Sequence, residues 1–409
     1  MKNYALLYAQ SGGPTSVINA SAYGVITEAK KRGIKTYVAL NGIEGLLKGS
    51  ISDIDNESDQ EIEKLRYTPA SAFGSCRVKL PIHTQDKTQY EKILEIFKKL
   101  NIHYFVYNGG NDSMNTCSKI ADFMQESGYE CYVCGVPKTI DNDLLCTDHC
   151  PGYGSAAKFI ATACSEIALD TNVYAHGRIT VVEIMGRDAG WLTASSALAS
   201  AYGTGPDLIY LPERPFDIED FCVKCKNVYM KKHSCLVAVS EGIRDVNGKY
   251  ICSYATEEKK DMFNNTQLGG VGIYLANLLT QKTGIKTRAI ELSLMQRCAA
   301  HIASLTDNEE AVLAGRKAVE AVSDGITNKM VTFKRESNSP YKMTCSLSPL
   351  CDVAHGTQSM PDEFIGKDCC SVTDKFIAYA TPLIMGEVNI KYENGLPVFA
   401  SLKNKIITF

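Results

Sequence analysis

Short apolar runs that end in glycine or clustered acids and then pass into a helical stretch recur along this chain, and that alternation leaves few folds open. Tyr4 to Ala9 reads as a buried strand, Gln10-Ser11-Gly12-Gly13-Pro14-Thr15 as a turn, and Val17 to Arg32 as a helix stopping at Gly33. Ile34 to Leu40 begins a second strand. Lys87 to Leu100 carries Tyr90, Ile93, Leu94 and Phe97 on one helical face and leads into the strand Tyr104–Tyr107 before Gly109-Gly110. Continuous apolar strands separated by helices belong to parallel sheets covered on both faces. The expected fold is therefore α/β, with parallel-rich sheets covered by helices.

A second series of units starts near Gly152. Ala156 to Leu169 and Ala189 to Ala201 are predicted helices, and Arg178 to Ile184, Leu208 to Leu211 and Cys235 to Val239 are predicted strands. Asp307 to Val322 is a further helix. Beyond Lys334 the chain is expected to be irregular, with a last β-like stretch over Gly386 to Leu402. The organisation this suggests is two unequal domains, 1–152 and 153–297. A segment within 298–335 completes the first, and 336–409 is an extension packing on both.

At 409 residues the chain can bury a large core. Its net charge of −3 argues against a generally basic nucleic-acid binder, and no run approaches the roughly 20 apolar residues of a membrane helix. The N-terminal run from Met1 is too short for a secretory signal and reads better as a first strand. Sixteen scattered cysteines fit reduced thiols in a cytoplasmic protein better than a disulfide framework. Cys131-Tyr132-Val133-Cys134 has metal-site spacing, but a strand would point the two thiols to opposite faces.

Four strand ends carry the candidate chemistry. Pro137-Lys138-Thr139-Ile140-Asp141-Asn142-Asp143-Leu144 follows the apolar Tyr132, Val133 and Val136, and a lysine beside two carboxylates suits a metal-bound phosphate and a hydroxyl to be deprotonated. Gly109-Gly110-Asn111-Asp112-Ser113 admits a phosphate chain, with Asp112 available to a metal and Ser113 to phosphate. A plain helix cap by Asn111, Asp112 or Ser113 accounts for it equally well. Gly12 and Gly13 open a helix without the Gly-Lys-Ser/Thr ending of a P-loop. Met185-Gly186-Arg187 ends the Val181–Ile184 strand with a guanidinium suited to a phosphorylated substrate, or simply with a surface arginine. Gly152-Tyr153-Gly154-Ser155-Ala156-Ala157 has the letters of a dinucleotide fingerprint but no strand before it, so a nicotinamide or flavin enzyme is a rival from another class.

Together, Gly-Gly-x-x-Ser, Pro-x-Thr-Ile-Asp-Asn-Asp and Met-Gly-Arg in this order resemble the phosphofructokinase family, over Tyr4 to about Ala300. Lys138 and Asp112 point to its pyrophosphate-dependent branch. The resemblance implies Mg²⁺-dependent, reversible phosphorylation of fructose 6-phosphate at its 1-hydroxyl in glycolysis, at a site in the cleft between the domains. It implies Asp141 as general base with Thr139 and Lys138 beside it, and Arg77 neutralising the phosphoryl group. Gly13, Gly109, Gly110, Asp112, Ser113 and Lys138 fall on the donor, and Asp112 and Asp143 on the metal. Met185, Gly186, Arg187 and Glu241, with Arg178, Arg288 and Arg297 around the 6-phosphate, fall on the sugar. A homodimer or homotetramer with shared sites is implied, with no nucleic acid and no membrane. Asn111 and Leu294 depart from the family pattern, standing where relatives often carry Asp and, in ATP-dependent enzymes, His. An ATP-dependent enzyme and a noncatalytic sugar-phosphate-binding paralogue are the alternatives; retention of Asp141, Asp143, Arg77 and Arg187 argues against the second.

Overall fold

The computed structural model describes residues 4–254, 270–354 and 356–409, so Met1 to Asn3 of the N-terminal run lie outside the described residues. Two compact units form. The first comprises Met1–Ser155, Arg297–Thr357 and Met385–Phe409, and the second Ala156–Gln296 and Gln358–Ile384. Residues 336–409, expected as one extension, are divided between them.

The strands of the first unit are β1 (Ala5–Gln10), β2 (Thr36–Ala39), β3 (Ile51–Asp53), β4 (Ile102–Gly109) and β5 (Tyr132–Pro137). Those of the second are β6 (Ile179–Ile184), β7 (Leu208–Tyr210), β8 (Cys235–Ser240) and β9 (Thr287–Glu291); β10 (Lys329–Asn338) and β11 (Tyr341–Pro349) return to the first. Among the described residues the first sheet has the order β11-β10-β5-β4-β1-β2-β3 and the second β7-β8-β6-β9. The pairs from β2 through β10 in the first sheet, and all pairs in the second, are parallel.

Side-chain alternation explains the burial. Leu7, Phe105, Tyr107 and Val133 feed one core of the first unit, while Leu6, Tyr8, Val106 and Val136 feed the other. Cys131 packs on the first core and Cys134 lies in the second, so the CxxC spacing brings no metal pair together. All sixteen cysteines are free thiols. No helix among the described residues is long and apolar enough to cross a membrane.

Helix Ile18–Lys31 packs on helix Leu305–Ser323 at backbone distance. A Cβ on Gly24 would stand 2.1 Å from the Val312 carbonyl oxygen, and one on Gly315 2.1 Å from that of Ser21. Any side chain at either position would force the helices apart.

Three expectations are corrected. The stretch beyond Lys334 is not irregular: β10 runs on to Asn338 and pairs antiparallel with β11. Lys334, Glu336 and Asn338 are exposed and alternate with half-buried neighbours, as an edge ribbon with one wet face requires, and so polar a strand resembles a loop in sequence. Conversely, the β-like run over Gly386 to Leu402 contains only the two-residue pair Tyr392–Glu393 with Leu396–Pro397. Its turn is Asn394-Gly395, both at positive φ. Further on, backbone donors meet side chains, Ala400 N to Thr68 Oγ1 at 2.9 Å and Lys403 N to Glu57 Oε2 at 3.0 Å. The predicted helix Ala189–Ala201 is a short α-helix, Trp191–Ser195, continued by a 3₁₀ stretch to Tyr202.

Candidate active site

Strands β1, β4 and β5 are neighbours in one parallel sheet, so the loops leaving their C-terminal ends gather at one edge of the first unit. Gly12 has φ +76, its N–H donates to Cys76 O, and Ser75 Oγ donates to Gly12 O at 2.6 Å. The Gly12-Gly13 turn is thereby fixed against Gly74-Ser75-Cys76-Arg77. Three cations surround it. Lys138 Nζ donates to Gly13 O at 2.6 Å, and a Cβ on Gly13 would meet Arg297 Nη1 at 3.1 Å and Arg77 Nη2 at 4.0 Å.

Lys138 is only 4% exposed. Burial pushes its ammonium down to about 8, with Arg77 and Arg297 adding to the depression and Asp141 and Asp143 opposing it. Burial and the Arg77 charge likewise lower Arg297. Three like charges are thus held close together beside the half-buried Gly12 and Gly13. Asp141 N donates to Thr139 Oγ1 at 3.1 Å, which fixes the turn carrying the carboxylate. Asn142 adopts φ +57, and its Oδ1 accepts from Cys150 N at 2.9 Å.

At the end of β4 the helix starts at Asn111, with Gly110 at the N-cap position. Asn111, Asp112 and Ser113 therefore form its first turn and do not cap it. A Cβ on Gly109 would fall 2.0 Å from Ser113 Oγ, so only glycine fits against that hydroxyl. Asp112 is 69% exposed and pairs with Lys79 Nζ at 3.2 Å. Lys79 was not singled out from sequence, because its partner lies in another loop.

In the second unit, the turn after β6 is held by three contacts. Met185 N donates to Gln296 Oε1 at 3.1 Å, Gly186 N to Glu241 Oε1 at 3.3 Å, and Ser240 Oγ to Gly186 O. Gly186 has φ +132. Burial raises the Glu241 carboxyl, while Gly186 N–H and Arg187 counter it. Arg187 Nε is buried and has no hydrogen-bond partner among the described residues. Gln296, buried and positioning Met185, escaped the sequence reading because amides carry no charge signal.

Arg178 and Arg288 belong to the other end of this sheet. Arg178 immediately precedes β6 and lies over the Tyr174 ring at 5.9 Å, and Arg288 is exposed opposite Thr180. Arg297, which the resemblance groups with them, stands in the first unit beside Gly13 and Arg77. Leu294 is exposed in the second unit. The dinucleotide-like Gly152–Ala157 segment follows a loop and not a strand, and its helix N-terminus is occupied by the protein's own Asp307, which accepts from Gly152 N at 2.8 Å and Ser155 N at 2.9 Å.

The phosphofructokinase family profile matches residues 5–322. The chain belongs to the phosphofructokinase family. It is 43% identical over 99% of its length, and 97% of the relative's, to the pyrophosphate–fructose 6-phosphate 1-phosphotransferase of Xanthomonas campestris pv. campestris. It is 42% identical over 98% of its length, and 97% of the relative's, to the protein of the same name from Halomonas elongata. The crystal structure of pyrophosphate-dependent phosphofructokinase from Nitrosospira multiformis superposes with a TM-score of 0.91 at 39% identity, covering 100% of this chain and 98% of that one. Against this near-complete similarity to phosphofructokinases, the dinucleotide reading of Gly152–Ala157 falls away.

Proposed function

We propose that this phosphofructokinase transfers a phosphoryl group reversibly from pyrophosphate to the 1-hydroxyl of fructose 6-phosphate, giving fructose 1,6-bisphosphate, a glycolytic step. The observation that carries the reading is the ring of Lys138, Arg77 and Arg297 around Gly12-Gly13, on the same loop system as Asp141. Phosphoryl transfer asks the protein for charge neutralisation and positioning more than for covalent chemistry. Asp141 accepts the proton of the attacking hydroxyl, and Thr139 fixes the turn that presents it. Lys138, Arg77 and Arg297 neutralise the donor and the transferring group.

Among the described residues no three His, Cys, Asp or Glu side chains gather into a self-contained metal site. That suits Mg²⁺ in such enzymes, where one or two carboxylates share the ion with substrate phosphates. Asp143, with Asp112 as the second acid, would hold it, and the ion would supply further charge neutralisation on the phosphates.

The acceptor's phosphate is assigned to Met185, Gly186 and Arg187, and its hydroxyls to Glu241. Charge-assisted hydrogen bonds are worth about 1.5 kcal/mol or more. Arg187→Ala should therefore raise KM for fructose 6-phosphate about tenfold while leaving KM for pyrophosphate within about twofold. An unchanged fructose 6-phosphate KM in steady-state kinetics would remove Arg187 from the sugar site.

We also read the enzyme as a homo-oligomer whose sites are shared. Arg178 and Arg187 flank the two ends of β6, whose six residues span roughly 20 Å. One phosphate cannot meet both from one chain, so Arg178 and Arg288 are assigned to a neighbour's substrate. The activity itself is tested by assaying fructose 6-phosphate turnover with pyrophosphate and with ATP. Absence of turnover with either donor would leave the noncatalytic alternative.

A further inference from the structure

The loop over residues 138–152 leaves β5 with Thr139, Asp141 and Asp143 on its outgoing leg and comes back through Thr147–Gly152 to helix Tyr153–Thr171. The two legs are bonded to each other. Thr139 N donates to Pro151 O at 3.3 Å, Thr139 and Gly152 form an isolated parallel bridge, and Cys150 N donates to Asn142 Oδ1 at 2.9 Å. Wherever the returning leg is held, the outgoing leg with its carboxylates is held too.

The returning leg is held by β10, where Asp148 N donates to Phe333 O at 3.0 Å and Phe333 N to Thr147 Oγ1 at 2.9 Å, and by one face of helix Leu305–Ser323. Asp307 is 2% exposed, and its carboxylate accepts from Gly152 N at 2.8 Å, Ser155 N at 2.9 Å and Ser155 Oγ at 2.5 Å. One turn further, Glu310 Oε2 lies 2.7 Å from His149 Nε2, while His149 Nδ1 lies 2.7 Å from Asp148 Oδ1. Arg335 from β10 donates to Asp148 through Nε at 3.0 Å and Nη2 at 2.7 Å, and Tyr341 OH from β11 donates to Glu310 Oε1 at 2.6 Å. Two carboxylates, one guanidinium and one imidazolium make a neutral set. Burial alone would push His149 down, but Glu310 and Asp148 outweigh it and lift the group to about 9. The helix supplying Asp307 and Glu310 has little freedom to move, because Gly24 and Gly315 seat it against helix Ile18–Lys31 at backbone contact.

We propose that Asp307 is a positioning residue for phosphoryl transfer, fixing the returning leg of loop 138–152 and through it the placement of Thr139 and Asp141, with the His149–Glu310 pair as the second tie. The inference rests on the assignment of Asp141 as the base. Asp307 touches no substrate in this scheme; it acts through three donors belonging to the loop end. Displacing a reacting group by about an ångström is enough to cost up to ~10²-fold in rate.

The test uses the full chain. Asp307→Asn keeps the side-chain volume but turns an acceptor into a donor facing donors. It should lower kcat about tenfold with KM for fructose 6-phosphate and pyrophosphate within about threefold. A purely structural role lowers the folded fraction, which also lowers apparent kcat at unchanged KM, so rates are taken per folded molecule measured by circular dichroism; on that basis a purely structural role leaves kcat at the parent value. In an Asp141→Asn background, Asp307→Asn should cost less than about twofold more, because the group it places is already gone. Should Asp307→Asn fail to fold, Ser155→Ala removes one of the three donors and should lower kcat about threefold at unchanged KM. A kcat within about 1.5-fold of the parent in the variants that fold, or full additivity with Asp141→Asn, overturns the proposal. Loss of turnover in the unmodified enzyme would instead count against the assigned reaction, and an unaffected Asp141→Asn enzyme against the assigned base.

Discussion

With fructose 6-phosphate as acceptor, pyrophosphate is expected to exceed ATP by at least about a hundredfold in kcat/KM, equivalent to about 2.7 kcal/mol. The argument begins at position 112, the second residue of the helix after Gly109-Gly110. A glycine there would leave room and a neutral environment for the diphosphate and nucleoside of a nucleotide donor. In the proposed donor site Asp112 would take that space and turn a carboxylate toward the α-phosphate of a nucleotide. Lys79, 3.2 Å away, offsets part of the carboxylate's charge, so the exclusion of a nucleotide rests mainly on the space that Asp112 takes. Lys138 works in the opposite sense for a short donor, because a buried ammonium bonded to Gly13 O is positioned for a compact, highly charged anion. Asp112→Gly combined with Lys138→Gly should narrow the gap by opening nucleotide space and removing the pyrophosphate cation. Equal kcat/KM for the two donors in the parent enzyme would refute the assignment of pyrophosphate as its donor.

The parts of this molecule that could be read in the sequence share one property: their signal is local. Strands β1, β4, β5, β6 and β8 are buried on both faces, so each is a nearly unbroken apolar run, and the turns after β1, β4 and β6 announce themselves by glycine. The β10–β11 ribbon was not legible, because an edge ribbon with a solvated face alternates polar residues and mimics a loop. Arg297 shows the same limit at the site. The resemblance sets it around the 6-phosphate, and nothing in the chain says that it meets Gly13 nearly three hundred positions earlier. The Asp307 contacts with Gly152 and Ser155, and those of Glu310 with His149, also join distant segments. In sequence Asp307 marks only the start of the predicted helix Asp307–Val322, and an acid in a first helical turn is favoured by the helix dipole alone.

Asp141→Asn is expected to lower kcat by ~10²–10⁴ while changing fructose 6-phosphate affinity little. An alcohol is a poor nucleophile, and a base that takes its proton as the new P–O bond forms contributes at that scale. Asparagine has nearly the same size and can still hydrogen-bond the hydroxyl, so binding survives, but it cannot accept the proton. The backbone also favours a clean result. The Asp141 N–H is held by Thr139 Oγ1, and the adjoining Asn142 by Cys150 N, both through atoms the substitution leaves in place. Asp143→Asn separates the neighbouring role: if Asp143 serves the metal, its loss should move the Mg²⁺ concentration needed for half-maximal activity. Pre-steady-state turnover decides the matter, because it reports the chemical step apart from product release. A chemical-step rate for Asp141→Asn within about threefold of the parent would mean that another group takes the proton.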